Sequence, residues 1–147
     1  MRKMVFGRKL SRGRKSREAL LRSLSQQIVV NGKVTTTKAK AKAMQRDAER
    51  LITLAKEGTL AAQRKVSAIL GNRREITEIV FKKLAVAFAG KKGGYTRIIS
   101  LPSRKGDNAD MATIEWSEKI SYEEPKKEEK PKKETKVKKT IKKEEKK

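Results

Sequence analysis

The feature that most constrains this chain is its excess of positive charge. Its 147 residues carry 40 Lys and Arg against 17 Asp and Glu, which gives a formal net charge of +23. Self-repulsion on this scale destabilises a compact state unless a polyanion neutralises it. The composition therefore indicates a nucleic-acid partner. An anionic membrane surface is the alternative, and it would require a basic helix with a strongly apolar opposite face.

The residue types that are missing narrow the possible chemistry. The chain has no Cys and no His, which excludes disulfides, thiol catalysis, zinc fingers and histidine acid–base catalysis. No apolar run approaches the ~18 residues that span a bilayer, and we expect no signal peptide. The opening "MRKMVFGRKLSRGRKSR" is Arg-rich and acid-free, as mitochondrial transit peptides also are. It lacks their sustained amphipathic period, so we do not expect a transit peptide.

Composition divides the chain into three segments. Residues 1–15 form a basic arm without acidic residues, and residues 16–120 mix apolar and charged positions with clear periodicity. This middle segment is predicted to be one globular domain. Residues 121–147 are rich in Lys and Glu, with two of the three prolines and few large apolar side chains. That tail is predicted to be disordered in isolation.

Apolar periodicity in the middle segment predicts four helices. The predicted N-terminal caps are Ser16 (with Glu18 in the first turn) for the first helix, Thr36 or Thr37 for the second, and a capping box of Asn72 and Glu75 for the fourth. The third helix is predicted from about Leu60 to Leu70. The predicted ends of the four helices are Gly32, Gly58, Gly71 and Gly90.

Three segments have the period of strands: "KVTTT", "YTRIISL" and "MATIEW". The last two are predicted to pair antiparallel, and the first to add an edge. We therefore predict an α+β fold, with about four helices on a small three-stranded sheet, mixed or antiparallel. Trp116 and Phe88 stand at core periodicity and are predicted to be buried.

The basic arm is the first predicted RNA-binding site. The arm is predicted to become ordered when it binds RNA or DNA. The alternative is that it is a solvated tail. Arg suits phosphate forks and base stacking, whereas Lys supplies point charge. The cations counted here are Arg2, Lys3, Arg8, Lys9, Arg12, Arg14, Lys15 and Arg17.

The second predicted site is the "TTTKAKAK" junction, where a strand meets a helix. A helix N-terminus presents free N–H groups and a positive dipole end to phosphate. The alternative is plain capping with a solvated Lys face, and the sequence leaves both open. The residues assigned to this site are Thr36, Thr37, Lys38 and Lys40.

The third predicted site is the glycine loop within "GKKGGYTRI". It could lie against phosphate, with Tyr95 stacking on a base or sugar, or it could be a simple helix-to-strand connection. A second loop carries Arg104 and Lys105, and a hairpin is expected to bring its strands beside Tyr95 and Arg97. The loop residues assigned are Lys91, Lys92, Gly93, Gly94, Tyr95 and Arg97, and two further cations, Arg22 and Lys33, complete the predicted set.

Catalysis has little support in the sequence. Asp107 and Asp110 are the only carboxylates near the glycine-containing loops, and together they could be read as a magnesium site. An Asp in a turn more often bonds its own backbone. There is no G-x-x-x-x-G-K-[ST] phosphate loop. We therefore predict no enzymatic activity, no cofactor, no metal and no small-molecule substrate.

Several motifs together resemble one known family. They are "REALLRSL" after the basic opening, "LITLAK" at 51–56, "GGYTRI" at 93–98, and the spaced "R-x-GDNA…MA-x-IE" from Arg104 to Glu115. Over residues 1–118 the chain resembles the bacterial large-subunit ribosomal protein seventeen family. No single one of these motifs is specific, but the last two at this spacing are.

The resemblance implies a structural constituent of the large ribosomal subunit. It implies binding to large-subunit ribosomal RNA and a role in subunit assembly and translation, in the cytoplasm. It further implies neighbouring ribosomal proteins near the peptide exit region, and no membrane. The alternative from composition is a DNA-binding architectural protein, and an RNA-modifying enzyme ranks behind both.

Overall fold

The computed structural model describes residues 7–118 and residue 120. It shows the predicted α+β fold, in which helices pack on a three-stranded antiparallel sheet of order β1-β3-β2. The elements in chain order are α1 (Arg14–Asn31), β1 (Lys33–Thr37), α2 (Lys38–Glu57), α3 (Leu60–Ile69), α4 (Arg74–Ile79), a π-helical turn (Val80–Leu84), α5 (Ala85–Ala87), β2 (Thr96–Leu101) and β3 (Met111–Trp116).

Two predicted helix starts are wrong. Helix α1 begins at Arg14 behind Gly13, without a side-chain cap, so neither Ser16 nor Glu18 has its predicted role. Glu18 instead forms an ion pair with Arg14, one turn back, at 3.0 Å. This pair favours the earlier start, because residues four apart are neighbours on a helix.

The predicted capping box before α4 is also absent. Arg73 is the residue before this helix, and no side chain caps it. Asn72 has a φ of +61° and accepts a hydrogen bond from the Ser67 hydroxyl at 3.4 Å. Asn tolerates this left-handed conformation better than most residues. It therefore takes part in the turn after α3.

The predicted helix ends agree better with the structure. Gly32 and Gly58 follow α1 and α2 with φ of +75° and +64°. Helix α3 begins behind Thr59, whose hydroxyl accepts from the Ala62 N–H at 3.1 Å. The last helix stops at Ala87, slightly before the predicted Gly90.

Helix α4, the π-helical turn and α5 form one continuous helical segment with a wide turn in its middle. Ile76, Val80, Leu84 and Phe88 are spaced four apart along it, and all are buried. A spacing of four drifts around an α-helix, which has 3.6 residues per turn. The wider π-helical turn offsets this drift. It therefore keeps all four side chains on the core side.

The core lies between the helices and one face of the sheet. Ala112, Ile114 and Trp116 of the central strand β3 point into it, as their alternation predicted. The Trp116 Nε1–H donates to the Ile28 carbonyl at 3.0 Å, which satisfies its polar atom. Phe88 is fully buried, with its ring centroid 6.0 Å from that of Trp116. Both predicted core aromatics are confirmed.

The opposite face of the sheet carries no helix in the described part of the chain. Its side chains come from alternate positions of the strands, such as Thr35 and Ile99, which are exposed. No helix among residues 7–118 is long and apolar enough to cross a bilayer.

Candidate nucleic-acid interface

The register of the sheet separates the predicted binding residues into two groups. Thr37, Met111 and Leu101 lie side by side at one end of the sheet, and Lys33, Glu115 and Arg97 at the other. The two ends are about 13 Å apart along β1, at ~3.3 Å per residue. We call the first the cationic end, comprising the start of α2, the β2–β3 loop (residues 102–110) and the adjoining arm. The second is the glycine-loop end, comprising residues 90–97 and their neighbours.

Three chain segments meet around an open cavity at the cationic end. The cavity has a volume of about 350 Å³, and its lining residues are Arg8, Thr37, Lys38, Ala39, Lys42, Ala109 and Asp110. None of its three cations forms an ion pair within the described residues. A single carboxylate, Asp110, lies among them, so the lining carries a net positive charge.

The start of α2 is held by backbone hydrogen bonding. The Lys38 N–H donates to the Asp110 carbonyl at 2.9 Å, which fixes the helix start to the β2–β3 loop. The Thr37 hydroxyl makes no capping bond, and the first turn has no acidic residue. The prediction of a threonine side-chain cap is therefore wrong. No acidic residue of α2 itself offsets the positive end of the helix dipole, and Asp110 is the one carboxylate in the lining of the adjoining cavity.

The other residues of this predicted junction differ in accessibility. Thr36 pairs with Ala112 inside the sheet, and Lys40 is half-buried on α2. Lys42 was not among the predicted binding residues, because its helical spacing indicated a solvated face. It lines the cavity one turn after Lys38, and that i, i+4 spacing was the available signal.

The β2–β3 loop is closed by its own contacts. The Arg104 N–H donates to the Ala109 carbonyl at 3.0 Å. The Arg104 guanidinium also grips both carboxylate oxygens of Asp107, with Nε to Oδ1 at 3.0 Å. This hydrogen bonding lowers the pKa of Asp107 to about 2, and the same pair raises the pKa of Arg104. Lys105 is exposed and forms no ion pair with a described residue.

Asp107 also accepts from the Ala109 N–H at 3.4 Å, the backbone role expected of an Asp in a turn. Both its oxygens are thus used within the loop. In residues 7–118 and 120, no group of three His, Cys, Asp or Glu side chains could hold a metal ion.

The hairpin brings strand β3 beside Arg97, as predicted, but the two cationic loops do not meet. Arg104 and Lys105 lie in the loop that connects β2 to β3. The hairpin places this connecting loop beyond Leu101, whereas Arg97 is paired with Glu115 at the opposite end. A hairpin loop necessarily lies at the far end from the outer termini of its two strands.

Cations at the glycine-loop end already have partners. The Lys91 ammonium pairs with Glu118 and donates to the Ser117 hydroxyl at 3.2 Å. Arg97 lies 3.8 Å from a Glu115 carboxylate oxygen. Lys92 is exposed. These pairs lower the charge that this end can offer to a phosphate.

The glycines of this loop serve the connection between helix and strand. Gly94 has a φ of +64°, a conformation that side chains disfavour. An added Cβ at Gly93 or Gly94 would meet no atom within 4 Å. Backbone conformation, not crowding, is therefore what requires glycine at position 94.

Tyr95 is a core residue. Only 5% of its surface is exposed, and its ring meets Phe88 edge-on with centroids 5.4 Å apart. The Lys56 ammonium lies 5.7 Å from the ring centroid. The predicted stacking of Tyr95 on RNA is therefore wrong. The chain has only six aromatic residues, and that scarcity was the signal that the core would need this ring.

The remaining predicted cations lie elsewhere. Arg14, Lys15, Arg17 and Arg22 belong to α1, and Arg22 packs its Cδ against the position that a Cβ on Gly71 would occupy. Arg12 donates to the Leu10 carbonyl at 3.0 Å. The set does not form one patch. The other members are Lys9 in the arm, Lys33 at the glycine-loop end, and Arg2 and Lys3, which lie outside the described residues.

A comparison with protein-family models gives the chain a family. The model described as ribosomal protein L17 matches residues 20–117, about two thirds of the chain, from the first turns of α1 to the end of β3. The match lies between the basic arm and the Lys/Glu-rich tail. The chain belongs to the ribosomal protein L17 family, whose members are structural, non-enzymatic components of the large ribosomal subunit.

Proposed function

We propose that this protein binds large-subunit ribosomal RNA mainly through phosphate contacts at its cationic end, and that this binding supports subunit assembly. Family membership makes ribosomal RNA and ribosomal proteins its partners. One observation carries the proposed mode of contact. The arm, the start of α2 and the β2–β3 loop converge on a cavity lined by three cations, Arg8, Lys38 and Lys42, that have no ion-pair partner among the described residues.

The chemistry of this end suits phosphate oxygens. Lys and Arg provide charge and donors, and the start of α2 adds the positive end of a helix dipole without an acidic residue in its first turn. Phosphate contacts position a protein on RNA without reading sequence. Shape and charge are therefore sufficient for recognition here.

The arm of residues 1–15 extends this surface. Arg8 lines the cavity, and residues 1–12 carry four further cations in sequence. Arg2 and Lys3 are among them, and in this proposal they add charge for binding RNA. The domain organisation we propose is this arm, a globular domain over 16–120 and a separate tail over 121–147. The helical state of Arg14 and Lys15 moves the structural start of the globular domain two residues earlier.

The glycine-loop end contributes less to RNA binding in this proposal. Lys91 and Arg97 would have to leave Glu118 and Glu115 before they could serve a phosphate fully. Lys92 remains available as a point charge. We place the subunit contact near the peptide exit region, in the cytoplasm, with other large-subunit proteins as neighbours.

The test compares two sets of four alanine substitutions in the full chain. The first removes Arg8, Lys38, Lys42 and Lys105 from the cationic end. The matched control removes four ion-paired cations: Arg74, Lys82, Lys91 and Arg97. Binding to large-subunit ribosomal RNA is measured by filter binding over a salt series, with duplex DNA of equal length as competitor.

The salt slope is the slope of the logarithm of the binding constant against the logarithm of the salt concentration. The first set is expected to lower its magnitude by about 3 to 4, because each phosphate contact contributes about 0.9. The control set is expected to lower it by less than about half as much. Equal losses in the two sets would reject the cationic end as the main contact. Preference for duplex DNA over ribosomal RNA would support the architectural alternative instead.

A further inference from the structure

The open face of the sheet is poor in charge. Its side chains form three cross-strand rows, and the first row holds Lys33, Glu115 and Arg97. The other two rows contain no charged residue. The face therefore has a net charge of +1 in a chain with +23. A surface that binds RNA needs cations, so this face is poorly suited to a second phosphate contact.

An apolar patch lies in the two uncharged rows of the same face. Ile99 is 40% exposed and Leu101 is 38% exposed, and Leu101 is paired with Met111 on the neighbouring strand. Contiguous apolar surface of this kind commonly marks a protein contact. It stands out here because 39% of the residues in the chain are charged.

The patch borders an unpaired strand edge. In the described residues, β2 pairs only with β3. The Ser117 N–H donates to the Tyr95 carbonyl at 2.9 Å, so these opposite residues form a hydrogen-bonded pair. Pairs alternate along antiparallel strands. The N–H and C=O groups of Thr96, Ile98 and Ser100 therefore point away from β3, toward the free edge.

Beyond Arg97, this edge lacks charged side chains that would protect it against pairing. Edge strands in soluble proteins are commonly short, bulged or charged. Strand β2 has six residues, and its stretch from 98 to 101 reads "IISL", without a charge. Each edge strand has one cation in the same row of the open face, Lys33 on β1 and Arg97 on β2, but the other outward positions are threonines on β1 and apolar residues on β2.

We propose that the edge of β2 binds an extended segment of a neighbouring protein, which adds a fourth strand to the sheet. The segment would carry apolar side chains opposite Ile99 and Leu101. Arg97, with 61% of its side chain exposed, keeps further guanidinium N–H donors beside its 3.8 Å contact with Glu115, so an acidic residue is favoured at the matching position in the segment. Main-chain hydrogen bonds to Thr96, Ile98 and Ser100 would supply affinity, and the alternate side chains would supply specificity.

This proposal rests on the family's place in the large subunit and is independent of the phosphate contacts proposed above. The charge-removal variants test those contacts, and none of their four cationic-end substitutions lies on β2. Either proposal can therefore fail while the other stands.

The experiment places p-benzoylphenylalanine at Ile99 of the full chain and irradiates purified large subunits that contain it. A second chain carries the same group at Thr35, on the same face but on the opposite edge strand. Crosslinked material is separated into RNA and peptide and identified by mass spectrometry. Residue-resolved hydrogen exchange compares β2 amides in the free chain and in the subunit.

Two substitutions in the Ile99 crosslinking chain test strand addition directly. Ser100→Pro removes an outward N–H from an edge position that tolerates proline, and Ser100→Ala keeps that N–H. Circular dichroism of both free chains checks the fold. We expect Ser100→Pro to lower the peptide crosslink by about fivefold, as loss of one hydrogen bond implies. Ser100→Ala should leave the yield unchanged.

The supporting result is one defined peptide segment, crosslinked mainly at Ile99, with protection of the Ile98 and Ser100 amides only in the subunit. The amides of Ile99 and Leu101 should be protected in both states, because they face β3. A crosslink to RNA, a crosslink to a second copy of this chain, or equal yields at Thr35 and Ile99 would overturn the proposal. So would the absence of any crosslink in subunits that contain the chain.

Discussion

The two ends of the sheet both carry cations but use them differently. At the cationic end, Arg8, Lys38 and Lys42 surround a cavity without ion-pair partners in the described chain. At the glycine-loop end, Lys91 and Arg97 are matched with carboxylates of Glu118 and Glu115. A count of positive residues therefore does not locate a phosphate site. The distribution of nearby carboxylates decides which cations are available.

The two ends also differ in where their aromatic residues lie. Tyr95, Phe88 and Trp116 pack together beneath the glycine-loop end, so its loop is anchored to the core. The cationic end has no aromatic residue among those lining its cavity. The glycine-loop end therefore contributes to stability, and the cationic end offers charge.

The largest expected effect comes from deleting residues 1–12, which keeps Gly13 and the whole of α1. The deletion removes five cations and no acidic residue. We expect RNA affinity to fall by about 100-fold or more at physiological salt, because each lost phosphate contact removes its share of the counterion release that drives binding. The melting temperature should barely change, since no residue from 7 to 12 is buried. Filter binding and thermal denaturation measure the two quantities, and unchanged affinity would contradict the role of the arm.

The next effect concerns the glycine-loop end. Tyr95→Ala should lower the free energy of unfolding by about 3 kcal/mol, as for other large aromatic truncations in cores. RNA affinity per folded molecule should stay within about twofold, because the ring faces the core. Urea denaturation and filter binding at low temperature separate these effects. Tyr95→Phe is the control, since it keeps the ring. A large loss of affinity with unchanged stability would restore the stacking role.

A smaller effect distinguishes the two adjacent glycines. Gly94→Ala forces a side chain into a φ of +64° and should cost about 1 kcal/mol of stability. Gly93→Ala should be nearly neutral, since its φ is not in the left-handed region and its surroundings are open. Denaturant titrations measure both free energies of unfolding. Equal losses for the two substitutions would contradict the requirement for a positive φ at position 94.

The smallest effect is expected from Asp107→Asn at the cationic end. It releases Arg104 from its carboxylate partner and should raise RNA affinity about twofold to threefold. Asp107→Glu, which keeps the charge, serves as control. A fall in affinity would show that the closed loop matters more than the freed cation.

The pH dependence of this pair follows from the lowered pKa of Asp107. The pair's contribution is present above the ordinary carboxyl pKa of 3.8 and is lost as the pH falls through about 2. Loop hydrogen exchange, corrected for the intrinsic pH effect, should therefore not change between pH 5 and pH 8. A transition inside that window would contradict the assigned pairing.

Helix and strand identity could be predicted from the sequence because those signals are local. Periodicity placed four helices and three strands, and Gly32 and Gly58 marked two helix ends. The errors lie at N-terminal caps, where Ser16 and Asn72 match the preferred residue types but are not used. A side-chain cap adds only ~1 kcal/mol, so a backbone partner or a neighbouring ion pair can replace it.

The binding site was less predictable, because availability of a cation depends on contacts between distant residues. Lys91 meets Glu118, and Arg97 meets Glu115, only through the pairing of β2 with β3. Lys38 and Arg8 approach the same cavity although 30 positions separate them in the chain. No local pattern carries that information.

The sequence by itself determined the charge, the family, the α+β class and the scarcity of aromatic residues. These follow from composition, motifs and short-range periodicity. Tertiary structure alone decided that Tyr95 is buried, that the two loops lie at opposite ends, and that β2 has a free apolar edge. The physical reason is the sheet register, which fixes which side chains become neighbours and which backbone groups remain unpaired.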